Sequence, residues 1–549
     1  MTEAVIEKKN SSNYHNLSPL AFFRCNPEKL SIGTTGWQEL IHDYQTPLFL
    51  TQYQDKPALV PAESVSASLS SEKDDDSLPL LSIIPVISPE KLGNQQFKNL
   101  HRVKYCFIAG AMANGITSEE LVIAMANADM LAFFGAGGLS MERIEKAIDR
   151  IQAAVGQKSY GFNLLHNPFE PDLEQATVEM YLKKGVKRVS AAAYLRLTLP
   201  VVQYRVSGLK KDETGKIIPK NHIFAKISRT EVARAFMSPP PDTMLTKLLE
   251  LGKISREEAQ LARHIPMAED ITAEADSGGH TDRRPFTTLI PTILGLRNQI
   301  QQEHRFEREL RVGAAGGIST PAAVAAAFNM GAAYVLTGTI NQLTREAGTS
   351  MQVRQMLSKA EPHDVTMAPA ADMFEMGVKL QVLKFGTMFP IRAEKLYSLY
   401  QTYDNLESIP EKDRLQLEKQ IFKKSLDEIW DETQKFFQKR DPTQLKKATT
   451  NPKHKMALVF RWYLGKSSRW AIEGDESRKM DYQVWCGPAI GSFNGWRKGS
   501  FLEKMDNIGV VTVSLNMLRG AAILCRVHFV KCLGLDLPPK ALFIPPIPG

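Results

Sequence analysis

The sequence predicts an α/β fold: a (β/α)₈ TIM barrel with a helical insertion, an N-terminal cap and a helical C-terminal extension. Three observations carry this. Eight short apolar strand-type segments alternate with segments of helical period over roughly 240 residues, about the length of such a barrel. The strand segments are apolar throughout rather than alternating, as in a parallel sheet covered on both faces. The last two strands end in glycine loops, R-V-G-A-A-G-G-I-S (311–319) and Y-V-L-T-G-T (334–339), where a barrel of this kind holds phosphate. A doubly wound sheet is the competing arrangement, but its phosphate loop follows the first strand.

In chain order, residues 1–80 read as a cap with scattered aromatics, followed by a Ser-rich acidic linker at 64–77. The barrel spans 100–345. Its strands are expected at 105–109, 131–134, 159–163, 188–191, 223–227, 271–275, 311–315 and 334–337. Between strands five and six, the segment 238–266 is too long for a simple connection. Its triple proline stops one helix, a helical pair follows, and we expect it over the catalytic face as a lid or docking element. Residues 350–549 form the extension, first helical, then basic and Trp-rich.

Composition bounds the function. The 549 residues are 43% hydrophobic and 23% charged, as in a globular protein of two or three domains. No continuous apolar run reaches the ~20 residues of a membrane span. The start has no secretory pattern, and the five cysteines suit a reducing compartment. A cytoplasmic protein without a metal site is expected. Residues 435–549 carry 19 Lys/Arg against 8 Asp/Glu, a net of +11, so the remainder of a +8 chain sums to −3. No nucleic-acid motif accompanies this charge. It fits either a solvated face or a dock for an acidic partner, with Lys446, Lys447, Arg497 and Lys498 as docking candidates.

Several residues have the chemistry of a site. His280 ends D-S-G-G-H above strand six, where an imidazole can exchange a proton near neutral pH or simply bond a loop carbonyl. The loop A-G-A-M-A-N-G-I-T (109–117) gives a flat ring a small-residue bed. Asn163 suits ligand bonding or a turn cap equally. Lys226 suits an anion-facing charge or a partly buried salt bridge.

Together, A-G-A-M-A-N-G-I-T, G-F-N-L-L (161–165), S-G-G-H and the two late glycine loops resemble the FMN-dependent barrel family of nitronate monooxygenases and flavin enoyl-ACP reductases. Family members carry E-A-G-G-H where this chain has D-S-G-G-H. The insertion, the long tail and K-M-D-Y-Q-V-W-C-G-P-A-I-G-S-F-N-G-W (479–496) resemble one branch, the PfaD-type trans-acting enoyl reductases of polyunsaturated fatty acid and polyketide synthases.

The resemblance implies Gly110, Ala111 and Met112 along an isoalloxazine, with Asn163 bonding the ring. It implies Gly316, Gly317, Ile318, Gly338 and Thr339 at the FMN phosphate, and Gly278 and Gly279 beside His280 as acid/base. Lys226 would lie near the flavin N1–C2=O edge. The implied reaction uses NADPH, or NADH, to reduce an α,β-unsaturated thioester on an acyl carrier protein, and the protein is expected to form a homodimer. Nitronate oxidation and a non-catalytic FMN scaffold are the competing readings.

Overall fold

The computed structural model describes residues 17–166 and 170–548. Eight parallel strands close a barrel in chain order. They are β1 (Phe107–Ala109), β2 (Leu131–Phe134), β3 (Gly161–Leu165), β4 (Arg188–Ala192), β5 (His222–Ile227), β6 (Asp270–Glu274), β7 (Arg311–Ala315) and β8 (Val335–Thr337). Closure comes from β8 against β1, with Val335 opposite Phe107 and Thr337 opposite Ala109. Every strand overlaps its sequence expectation, with ends shifted by at most two residues.

The outer helices include α1 (Glu119–Asn127), α2 (Met141–Val155), α3 (Pro171–Lys184), α4 (Leu199–Val206) and α5 (Thr230–Met237). Between α5 and β6 stand the two insertion helices, α6 (Asp242–Glu250) and α7 (Arg256–Ala262), and after β6 come α8 (Phe286–His304) and α9 (Pro321–Asn329). Ser118, Ser140, Thr198 and Thr320 cap α1, α2, α4 and α9 by accepting from the N–H three residues on. Inside the barrel Phe133, Phe224, Tyr334 and Leu336 pack together.

The short helix Gln95–His101 plugs the N-terminal mouth of the barrel. Phe97 stacks on Tyr334 with ring centroids 4.7 Å apart. His101 Nε2 lies 2.8 Å from Asp270 Oδ2, Arg188 Nε donates to His101 Nδ1 (3.2 Å), and Arg311 grips Asp270 through two bonds of 2.7 and 2.8 Å.

Three expectations change. The 64–77 segment is not a free linker: Val65–Ser70 is a strand antiparallel to Ala21–Cys25, and Asp74 pairs with Arg24 at 2.7 Å. The insertion does form two helices, α6 (Asp242–Glu250) and α7 (Arg256–Ala262), but on the face opposite the one expected. It follows helix α5 and precedes strand β6. Helix-to-strand connections run at the N-terminal end of a barrel, whereas the βα loops crown the other end. It packs on α4. Length alone suggested a lid, and chain direction rules it out.

The third change concerns the tail. After β8 the chain leaves the barrel through α10 (Met351–Leu357) and a hairpin of β9 (Val365–Pro369) and β10 (Lys379–Leu383). Helices α11 (Phe389–Thr402), α12 (Leu426–Arg440) and α13 (Pro452–Glu473) follow, and this part has its own core from Ala368 to Leu464. The 23-residue helix α14 (Val510–Cys532) then returns to pack against α9 and α1. It thus fills the eighth helix position of the barrel. By length and composition α14 also meets the criterion for a membrane span, but 72% of its apolar window is buried against the protein, as in a core helix. The N-terminal segment seals it, since Arg526 Nη1 donates to the Asp43 and Thr46 carbonyls at 2.8 and 2.9 Å.

Candidate functional site

The βα loops and the extension enclose a cavity of ≈ 1370 Å³. All thirteen residues singled out in the sequence line it, from Gly110 to Thr339. A pocket for one drug-sized ligand measures about 300–1,000 Å³, so this one has room for two ligands.

The two late loops form one wall. Gly316 and Gly317 take positive φ of 80° and 75°. A Cβ at Gly316 would stand 2.6 Å from the Ala275 carbonyl, so no larger residue fits. At Gly317 and Gly338 nothing lies within 4 Å of the Cβ position, and both face open cavity. The N–H groups of Gly317, Ile318, Gly338 and Thr339 have no hydrogen-bond acceptor among the described residues. Unpaired N–H groups beside open cavity are what a phosphate requires, so these loops fit a phosphate group such as that of a flavin mononucleotide.

The first loop supplies the floor. Thr117 Oγ1 donates to the Gly110 carbonyl (2.7 Å) and accepts from the Met112 N–H (2.9 Å). A Cβ at Gly135 would lie 1.7 Å from the Met112 carbonyl oxygen, which fixes glycine in the neighbouring loop. Asn163 Oδ1 accepts from the Ala136 N–H at 2.7 Å. Its Nδ2 has no bond among the described residues and remains a donor in the cavity wall. Lys226 Nζ donates to Glu274 Oε1 at 2.9 Å across β5 and β6, so in this structure it sits in a salt bridge on the cavity wall.

His280 is held by the extension. Its Nε2 lies 3.1 Å from Asp372 Oδ2, and both side chains are about half exposed. Burial raises the Asp372 pKa, but the hydrogen bond and field of His280 outweigh it and hold the carboxyl below its ordinary value. The loop itself is clamped. Gly279 and Gln381 exchange backbone bonds of 2.9 and 2.7 Å, and Gln381 Nε2 donates to Asp276 Oδ1 (3.1 Å) and the Ser277 carbonyl (2.8 Å). A Cβ at Gly278 would meet the Cys486 backbone at 2.8 Å. Asp282 closes the loop on Arg229 at 3.0 and 3.2 Å, and that hydrogen bond is the main cause of a pKa lowered to about 2.

The sequence missed Asp372, Gln381 and Gly135. F-F-G-A-G-G after β2 was a readable signal for Gly135, but nothing local marks the other two. One docking candidate also fails. Arg497 is buried and donates to the carbonyls of Ser358 (2.6 Å), Leu502 (3.3 Å) and Glu503 (3.1 Å), so it holds the fold together; Lys446 and Lys447 are exposed.

A sequence family described as nitronate monooxygenase matches residues 94–384. A second, described as the inserted helical domain of [acyl-carrier-protein] S-malonyltransferase, matches residues 403–482. The chain is 48% identical over 80% of its length to one of the polyunsaturated fatty acid synthase polypeptides of Thraustochytrium sp.. It is 45% identical over 80% to the polyketide biosynthesis protein PksE of Bacillus subtilis. It spans only 30% and 57% of those two proteins. Among solved structures, the enoyl reductase domain of MlnA, from the macrolactin biosynthesis cluster of Bacillus amyloliquefaciens, superposes with a TM-score of 0.77 at 40% identity. That match covers 80% of this chain and 99% of the domain.

Proposed function

The chain belongs to the nitronate monooxygenase family, and on that footing we propose that it is an FMN-dependent enoyl reductase working in trans on acyl-carrier-bound thioesters with NADPH. One observation carries the reading: the glycine cradle and the His280–Asp372 pair open into the same two-ligand cavity. The likeness to the enoyl reductase domain of MlnA and to components of lipid and polyketide synthases supports the substrate class.

Bound against these loops, FMN would supply a hydride acceptor for NADPH and a hydride donor for the β-carbon of an unsaturated thioester. The N–H groups of Gly317, Ile318, Gly338 and Thr339 would hold its phosphate, and Asn163 Nδ2 would bond its ring. With His280 Nε2–H donating to Asp372, Nδ1 is the atom left to exchange protons. The imidazolium form would give its Nδ1 proton to the α-carbon, and the Asp372 carboxylate would steady that charge. The likeness of residues 403–482 to a helical domain of a carrier-dependent transferase supports docking of an acyl carrier protein on the extension.

Anaerobic NADPH should bleach the flavin absorbance of the purified protein, and a crotonyl thioester should restore it. A yellow protein that does neither is a scaffold. One that is reoxidised only by oxygen, in the presence of a nitroalkane, is a nitronate oxidase.

A further inference from the structure

Part of the cavity wall is built by one face of α13. Arg461, Gly465 and Arg469 follow at four-residue spacing, with Trp462 and Lys466 beside them, and all five line the cavity. At 1.5 Å per residue this row is about 12 Å long. Its cations are under-used by the protein. Arg469 and Lys466 have no ion pair or hydrogen bond among the described residues. Arg461 makes one ion pair, to Glu375 at 3.7 Å, and also feels the charges of Asp372 and Glu170. These acids are already bonded elsewhere, Glu375 to His454 at 2.7 Å, Asp372 to His280 at 3.1 Å and Glu170 to Arg440 at 2.7 Å. Glu432, the acid whose carboxyl feels Lys466, is taken by Lys424 and by Trp462 Nε1 (3.0 Å). Gly465 stands in mid-helix, where glycine is a poor choice. Nothing lies within 4 Å of its Cβ position, so it leaves a gap in the cationic row.

We propose that Arg461, Lys466 and Arg469, around the gap at Gly465, form a second phosphate-binding site for the ligand that enters the cavity beside the cofactor. The chemistry recognised is a phosphate group. It has two sources in such a cavity, the 2′-phosphate of the nicotinamide dinucleotide and the phosphate of a phosphopantetheine arm. The inference rests on reading the cavity as a two-ligand site; the cradle at Gly317 and Gly338 serves the other phosphate.

The test is calorimetry on the purified protein with its cofactor bound. One arm compares 2′-AMP with adenosine, the other 4′-phosphopantetheine with pantetheine. In at least one arm the phosphorylated member should bind more tightly. Lys466→Ala and Arg469→Ala should each weaken it roughly tenfold or more, leaving its unphosphorylated partner unchanged. The arm that responds identifies the source. Gly465→Leu should abolish the preference by filling the gap, with no loss of thermal stability or flavin absorbance. Equal affinity within both pairs, or variants that bind like the parent protein, would overturn the proposal. Calorimetry reads binding and not turnover, so a failed reductase assay with phosphate discrimination intact would sink the reductase reading and leave the site standing.

Discussion

His280 and Asp372 lie 92 residues apart in the chain and meet at 3.1 Å, and what each does there can be separated. His280→Ala should keep bound flavin and slow its reoxidation by enoyl thioester about 10²–10⁴-fold, the usual contribution of a positioned acid. Asp372→Asn keeps the shape and removes the charge, so it should slow the same step less; stopped-flow absorbance measures both. An unchanged reoxidation rate for His280→Ala would make water the proton source. At the cradle, Gly338→Asp places a carboxylate in open cavity where phosphate is expected, and it should yield colourless protein of unaltered fold. Full flavin occupancy in that variant would move the phosphate elsewhere. The histidine and the glycines were readable because small residues ending an apolar strand are a local pattern. Asp372 was not, because an aspartate in P-A-A-D-M looks like any turn residue.

Elements from beyond the barrel hold the loop that carries His280 in place. The β9–β10 hairpin grips the 276–280 loop through the backbone of Gly279 and the side chain of Gln381. Gln381→Ala removes two bonds and keeps the backbone bridge. It should cost about 2–4 kcal/mol of stability and reduce kcat through a looser His280; steady-state kinetics beside a thermal melt would separate the two. Helix α14 offers a sharper test of packing. A Cβ at Gly520 would lie 2.6 Å from the Pro321 side chain at the start of α9. Gly520→Leu should therefore destabilise by about 1–3 kcal/mol through overpacking, visible as a lower Tm. An unchanged Tm would mean that α14 does not close the barrel as tightly as described.

Across the whole molecule, charge is divided between two ends. Under the barrel, burial holds the imidazoles of His101 and His222 below their ordinary pKa, so both are neutral at pH 7. Burial alone would raise Asp270, but the Arg311 charge and hydrogen bonds hold it well below the carboxylate range. All three folded-state values are depressed, so the unfolded chain binds protons first as pH falls. Stability should be full above about pH 6.5, decline below it as histidines of the unfolded chain charge, and fall again below about pH 4. Melting curves against pH check this, and a Tm that is flat from pH 7 to 5 contradicts it. At the other end, if an acidic carrier docks on the extension, added salt should slow turnover of carrier-bound substrate more than that of a small thioester. Lys446→Glu with Lys447→Glu should reproduce the salt effect. Equal salt sensitivity for both substrates would leave those lysines as solvated surface.

The sequence alone determined the barrel. Apolar strand runs, helical periodicity and glycine punctuation are properties of neighbouring residues, and they located all eight strands and the thirteen residues that ring the cavity. Tertiary structure decided the rest. It set the insertion under the barrel because chain direction, not length, assigns a connection to a face. It supplied the eighth helix only at Val510, turned 65–70 into a paired strand and gave His280 its carboxylate partner. Each of these is a contact between segments far apart in the chain. Such contacts are selected by the shape and burial of the packed whole and leave no periodic mark on either segment.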